Sequence, residues 1–147
     1  SIVNAYRNAI DDYEKNPQNY DYTKYLKEIE KVKTRGLTTF YFNNRENKDI
    51  QEYAGKQHND DYQFGGKVVE YNEDKSVIEI RNRLQVGDEL EIVIPHKIEP
   101  YKFNIDGLWD AETKESIDAV NPGKQGQKVL MKLPINCEKD WIIRKKK

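Results

Sequence analysis

The strongest constraint on the fold is an alternation of apolar and polar residues at positions 66–95, GKVVEYNEDKSVIEIRNRLQVGDELEIVIP. Apolar side chains at every second position are typical of a sheet with one buried side. Gly87 lies in a short polar interruption, where glycine takes positive φ at no steric cost. We therefore predict three consecutive antiparallel strands joined by tight turns. The side chains predicted to face the core from the second and third strands are Ile78, Ile80, Leu84, Leu90, Ile92 and Ile94.

The composition limits both the size and the chemistry of the protein. A chain of 147 residues suits one compact domain with a helical appendage, and its net charge of −1 gives no general case for nucleic acid or acidic membranes. Cys137 is the single cysteine, which excludes an internal disulfide, a cysteine cage for zinc and an iron–sulfur cluster. No apolar run is long enough to cross a bilayer. We expect a cytoplasmic protein with no membrane partner and no cofactor in this part of the chain.

The flanking segments extend the predicted architecture. Helical spacing of apolar residues predicts helices over 1–15 and 23–33, the second capped by Thr23. Strands are predicted at 36–43, 101–109, 116–120 and 129–133, with a long exposed loop at 44–61 and a basic tail at 144–147 after a short strand at 141–143. We expect a mainly β fold, a small closed or nearly closed antiparallel β-barrel at 36–147, preceded by two N-terminal helices at 1–35.

None of the residues that could carry catalysis forms a convincing set. His58 stands beside Asp60 and Asp61 in the predicted loop and His96 stands in a turn, and both are interpreted as solvated polar residues. Cys137 is followed by Glu138, and a nearby carboxylate raises a thiol pKa rather than lowering it. The acidic pair Glu89 and Glu91 is predicted to lie on the polar face of a strand, where charges keep a sheet soluble. The sequence therefore predicts no catalytic residue and no metal site here.

A binding surface is the stronger candidate. Basic residues fall on segments that should be neighbours in the sheet, and tyrosines could offer rings for base stacking. The alternative is that these are scattered surface charges and core aromatics, which the balanced net charge favours. The main candidates are Arg81, Arg83, Lys67, Lys128, Tyr71 and Tyr101, with Tyr41, Lys124 and the basic tail as minor ones.

The order of several segments resembles a known family. YRNAIDDYEKNPQNYDY, KVKTRGLTTFYF, GKVVEY, IEIRNRLQVGDELEIVIP and GQKVLMKLP, in this order, resemble the C-terminal region of the collagenase-like peptidase family U32, whose catalytic type is unassigned. The resemblance covers essentially the whole chain. VGDELEI and GQKV are also similar to the second, β-barrel domain of translation factors such as elongation factor Tu.

The resemblance implies a larger protein whose N-terminal part is a barrel-type catalytic domain carrying the family's cysteines. Some members are described as peptidases or collagenases; others are implicated in RNA base hydroxylation, including a prephenate-dependent modification of tRNA wobble uridine with an iron–sulfur cluster. For this chain it implies a non-catalytic accessory β-barrel that binds a protein substrate or another partner and assists the catalytic domain. One alternative is an RNA-contacting module of a tRNA- or rRNA-hydroxylating protein, and another is a structural or dimerising domain.

Overall fold

The computed structural model describes residues 2–32, 61–123 and 126–147, and it divides the chain into two compact units, Ser1–Tyr62 and Gln63–Lys147. Several predictions lie outside the described residues. These are the strand at 36–43, almost all of the loop at 44–61, the boundary at residue 35, His58, Tyr41 and Lys124.

The first unit holds the two predicted helices, α1 (Ile2–Lys15) and α2 (Thr23–Glu30), with a 3-10 turn at Pro17–Asn19 between them. Pro17 starts the 3-10 turn, in keeping with its fixed φ and missing N–H. The prediction that Thr23 caps α2 is wrong. Thr23 is the first helical residue, and its backbone N–H donates to the Asp21 side chain at 2.9 Å.

The two helices pack on each other, and the Asp12 carboxylate links them. Asp12 in α1 accepts hydrogen bonds from the Tyr25 hydroxyl and from Lys24 Nζ, the latter at 2.8 Å. These bonds, led by the one from Lys24, lower the pKa of Asp12 below its ordinary value. Neither helix of the described part of the chain has the length and apolar character that crossing a bilayer requires.

The remaining described residues contain ten strands. An eight-stranded antiparallel sheet has the order β5-β4-β10-β1-β2-β9-β6-β7, and β3 and β8 pair separately. The sheet curls into a half-barrel with β5 and β7 at its edges, so the mainly β fold with two helices is confirmed, and complete closure of the barrel stays a prediction. The strands are β1 (Tyr62–Glu70), β2 (Ser76–Ile80), β3 (Leu84–Gln85), β4 (Glu89–Val93), β5 (Tyr101–Asn104), β6 (Leu108–Asp110), β7 (Ser116–Ile117), β8 (Ala119–Val120), β9 (Lys128–Met131) and β10 (Ile142–Lys146).

The core is the apolar face that the alternation predicted. The buried cluster includes Ile78, Ile80, Leu84, Leu90 and Ile92, none more than 2% exposed. The cluster also draws on strands far away in the chain, through side chains such as Leu108, Val129, Met131 and Ile143. Burial of these side chains removes apolar surface from water, and this is the main favourable contribution to folding.

The predicted meander is correct for its first hairpin and wrong for its second. β1 and β2 pair with Val68 opposite Ile78, but β2 then pairs with β9, whereas β4 pairs with β5 and β10. β2 ends at Ile80, and the backbone N–H of Arg81 still donates to the Gly65 carbonyl of β1 at 2.8 Å. The chain then enters β3, which contains Leu84 and pairs with β8.

Gly87 has φ of 92°, as expected for the turn before β4. Other boundaries differ from the prediction. The strand predicted at 101–109 is divided into β5 and β6, and the one at 116–120 is divided into β7 and β8. The predicted basic tail at 144–147 is mostly strand, because all of its residues except Lys147 belong to β10.

Candidate nucleic-acid interface

Three of the predicted basic residues meet around one carboxylate on the face of the sheet that points away from the core. Lys67 in β1 and Lys128 in β9 each lie directly opposite Glu79 in β2. Arg81 follows on the same face and donates to Glu79 Oε1 at 2.7 Å, while Lys67 Nζ lies 3.9 Å from Glu79 Oε2. We call these four residues the Glu79 cluster. The sequence predicted the basic members but not the glutamate that pairs with Lys67 and Arg81.

The cluster is only partly neutralised. Lys67 also donates to Asp140 at 3.2 Å, so Lys67 and Arg81 share two carboxylates, and Lys128 adds a third cation opposite Glu79. The Arg81 side chain is 41% exposed, and Lys128 is exposed. Exposed ion pairs contribute little to stability and are screened by salt, so an incoming phosphate can compete for these cations.

The other three predicted binding residues lie outside this cluster. Arg83 is exposed in the connection to β3, where its carbonyl accepts from Lys145 Nζ at 3.2 Å. Tyr71 is half-buried against the core, and its hydroxyl donates to Asn136 at 2.6 Å. Tyr101 has an exposed ring, but it lies on edge strand β5, three strands away from β1. The structure therefore brings Lys67, Arg81 and Lys128 together and leaves the two tyrosines elsewhere.

The basic residues of β10 form ion pairs with carboxylates of the same unit. Arg144 lies opposite Glu91 in β4 and donates to it at 2.8 Å, and Glu91 is fully buried. Lys145 lies 2.5 Å from Asp88, and Lys146 lies 3.6 Å from Glu89. The prediction that Glu91 lies on a solvated polar face is therefore wrong, because Arg144 from a distant strand pairs with it. These three cations are engaged with carboxylates within the same unit.

Trp109 is an aromatic residue that the sequence analysis did not single out. It was included in one continuous strand at 101–109, but β6 is a separate strand in which Leu108 is the fully buried residue. Neighbouring side chains of a strand point to opposite faces, so Trp109 lies on the outer face, opposite Leu130 of β9. Lys75 Nζ lies over its ring, 4.1 Å from the centroid. The Asp106-Gly107 pair that interrupts the alternation was the signal for this change of face.

Cys137 is placed as a small core residue and not as a nucleophile. It belongs to the buried cluster, and its thiol donates to the Ile135 carbonyl at 3.3 Å. Burial raises the pKa of Cys137 to about 11. The thiolate is the reactive form, so the thiol is inert at neutral pH.

We expect Cys137 to react slowly with a thiol reagent such as DTNB at pH 8. An increase in pKa from 9.0 to about 11 lowers the thiolate fraction about 100-fold, so labelling of the folded protein should be slower than labelling in urea by at least that factor. A labelling rate in buffer close to the rate in urea would contradict the burial of this thiol.

Among the described residues, no three histidine, cysteine, aspartate or glutamate side chains come together as metal ligands. His96 lies in the turn after β4 with φ of 63°, as a turn residue, and His58 lies outside the described residues.

Comparison with known proteins assigns the chain to a family. Residues 60–144 match the model of the peptidase family U32 C-terminal domain. Over 125 residues the chain is 30% identical to tRNA hydroxylation protein P1 of Bacillus subtilis (strain 168). The matched region is 83% of this chain but only 29% of the relative.

A crystal structure of the C-terminal domain of a Geobacillus thermoleovorans protein assigned to the U32 peptidases is also similar. It has a TM-score of 0.50 and 26% identity, covering 58% of this chain and 93% of the other. Its selenomethionine variant has a TM-score of 0.49, again with 26% identity, covering 56% of this chain and 98% of the other. The chain belongs to peptidase family U32 and carries the family's C-terminal domain.

Proposed function

We propose that this chain is a non-catalytic accessory domain that contacts RNA within a larger tRNA-hydroxylating protein. The observation that carries the proposal is the similarity, over 83% of the chain, to a relative named for tRNA hydroxylation. The chain spans 29% of that relative's length, which leaves ample room for a separate catalytic domain. The reacting groups are then supplied by that domain, with which this one would act.

The Glu79 cluster supports the proposal because its chemistry suits a phosphate backbone. Lys67, Arg81 and Lys128 project from adjacent strands on one face of the sheet. Arginine and lysine contacts to phosphates position a nucleic acid without reading its sequence. An accessory domain that holds a folded tRNA for a separate catalytic domain needs contacts of this kind.

The test is a titration of the 147-residue chain with bacterial tRNA at low and moderate salt. We expect binding that weakens as salt rises, because each phosphate contact releases condensed counterions. The triple variant Lys67→Gln, Arg81→Gln and Lys128→Gln should lose roughly tenfold or more in affinity, and its salt dependence should become shallower by about one unit of slope per lost contact.

A matched control removes the same amount of charge elsewhere. Lys97, Lys132 and Lys147 are exposed and lie outside the Glu79 cluster. Changing these three to glutamine should leave most of the tRNA affinity in place. The control therefore distinguishes an effect of where the charges lie from an effect of the total net charge. Absence of tRNA binding at both salt concentrations would overturn the proposal.

The family's peptidase description supports a second candidate, an accessory domain that binds a protein substrate. The two candidates give opposite results in one competition experiment. If the surface binds protein, gelatin should bind the chain and tRNA should not displace it. If it binds RNA, tRNA should bind and gelatin should not compete.

A further inference from the structure

A cleft of about 390 Å³ opens on the outer face of the sheet, next to Trp109. Its floor is apolar, formed by Val77 of β2 and Leu130 of β9. Its rim carries two carboxylates, two ammonium groups and one amide. The rim residues are Glu70, Asn72, Asp74, Lys75 and Lys114. The volume lies within the range of small-ligand sites, and the mainly polar and charged lining suits a polar ligand.

Both walls of the cleft are ordered turns. In the turn between β1 and β2, Ser76 is fully buried, and its hydroxyl donates to the Asn72 carbonyl at 2.9 Å. In the turn after β6, Asp110 accepts the backbone N–H groups of Glu112 and Thr113 at 2.8 and 2.9 Å. These bonds, led by the one from Thr113, hold the pKa of Asp110 below its ordinary value. The walls are therefore preorganised, which lowers the entropic cost of binding.

Lys114 stands in a conformation that lysine rarely adopts. Its φ is 64°, in the left-handed region, and its side chain lines the cleft. The turn after β6 holds Lys114 in this conformation, as the turn after β4 holds His96.

The Trp109 indole beside the cleft packs closely against Gly107. A Cβ at Gly107 would lie 2.8 Å from Cη2 of Trp109, so the absence of a side chain at Gly107 lets the ring lie against the backbone. Lys75, a rim residue, covers the ring at 4.1 Å from its centroid. Lysine is flexible, so this cation can leave the ring when another flat group takes its place.

We propose that this cleft binds one unpaired nucleobase with an exocyclic amino group, stacked on Trp109 in the position of Lys75. The inference rests on the proposed RNA-contacting function and adds a specific nucleotide site to it. The indole supplies the stacking surface. The carboxylates of Glu70 and Asp74 accept from the amino group, as acidic side chains do from cytosine N4. Lys75 and Lys114 are left to pair with phosphates.

The position of the cleft fits a strand that runs on to the Glu79 cluster. Val77 and Glu79 are two residues apart on β2, and Leu130 and Lys128 are two apart on β9. Two residues of strand span roughly 7 Å, so the cleft and the cations of the Glu79 cluster are near neighbours on one face. A nucleotide held in the cleft therefore places the next phosphates beside Lys128 and Arg81.

The test uses Trp109 as its own reporter. A Trp141→Phe variant leaves Trp109 as the single tryptophan, and its fluorescence is followed during titration with the RNA hexamers C6 and U6. Cytosine carries an exocyclic amine and uracil does not. We expect C6 to quench the fluorescence and to bind roughly tenfold more tightly than U6, because the carboxylates gain a partner only with cytosine.

Three variants locate the contacts. Trp109→Leu removes the reporter, so its binding is followed by the anisotropy of fluorescein-labelled C6, and its C6 affinity should fall roughly tenfold. Glu70→Gln combined with Asp74→Asn should remove the preference for C6 over U6. Lys114→Gly relieves the backbone strain while it removes the amine, so it should fold well yet reduce the salt slope of binding by about one.

The outcomes separate this inference from the proposed function. Salt-dependent tRNA binding without any change of Trp109 fluorescence, and with no difference between C6 and U6, would overturn the nucleobase site alone. Quenching by C6 without tRNA binding would support the site and overturn the proposed function. Lack of both would overturn both.

Discussion

Replacing Glu91 by leucine should lower the free energy of unfolding by about 3–5 kcal/mol. Glu91 is fully buried, Arg144 is 7% exposed, and their side chains are joined by a 2.8 Å hydrogen bond. Removing the carboxylate leaves the guanidinium inside the protein without its compensating charge. Since domains of this size are stable by only about 5–15 kcal/mol, the loss should be plain in urea unfolding followed by circular dichroism.

Glu89 is the matched control for this prediction. It lies on the same strand and pairs with Lys146 at 3.6 Å, but its side chain is 38% exposed. The Glu89→Leu variant should therefore lose no more than about 1 kcal/mol. Combining Glu91→Leu with Arg144→Met should recover much of the loss, because an apolar pair of similar volume needs no desolvation of charge. Equal losses for the two single variants would contradict the structural role of the buried pair.

The strand faces could be predicted from the sequence because they depend on local alternation. Ile78, Ile80, Leu90 and Ile92 all face the core as expected. A period of two assigns a side chain to a face, whichever strand lies beside it. Gly87 could be assigned to its turn from local sequence as well, because glycine takes positive φ at no steric cost.

Strand pairing could not be predicted in the same way. β2 pairs with β9, about fifty residues later in the chain, instead of with the next long strand. Pairing of distant strands depends on which side chains fit across the whole core, and a local pattern contains no information on that fit. The two-residue strand β3 shows the consequence: Leu84 keeps its core position but joins the separate sheet with β8.

The candidate site was predictable only in its charges. Lys67, Arg81 and Lys128 were expected to be neighbours and are gathered around Glu79. Tyr71, proposed as a stacking ring, packs against the core. Trp109 was not among the proposed stacking rings, and it lies on the outer face because the alternation breaks at Gly107.

Truncating Ile78 to alanine should cost about 2–5 kcal/mol, since it creates a cavity at the centre of the core. Ile78 is fully buried between Val68 of β1 and Val129 of β9, its register partners. These two strands have little freedom to close the space, because hydrogen bonds hold both of them to β2. The measurement is urea unfolding with the midpoint and the slope fitted separately.

Val77 is the control that makes this prediction a test of register. It is the adjacent residue on β2, but it lies on the outer face, half-buried in the floor of the cleft. Val77→Ala should therefore cost only about 1 kcal/mol. A slip of one residue in the pairing of β2 would exchange the two faces. In that case Val77→Ala would be the costlier change. That result would also contradict the placement of the Glu79 cluster, the cleft and Trp109 on one outer face of the sheet.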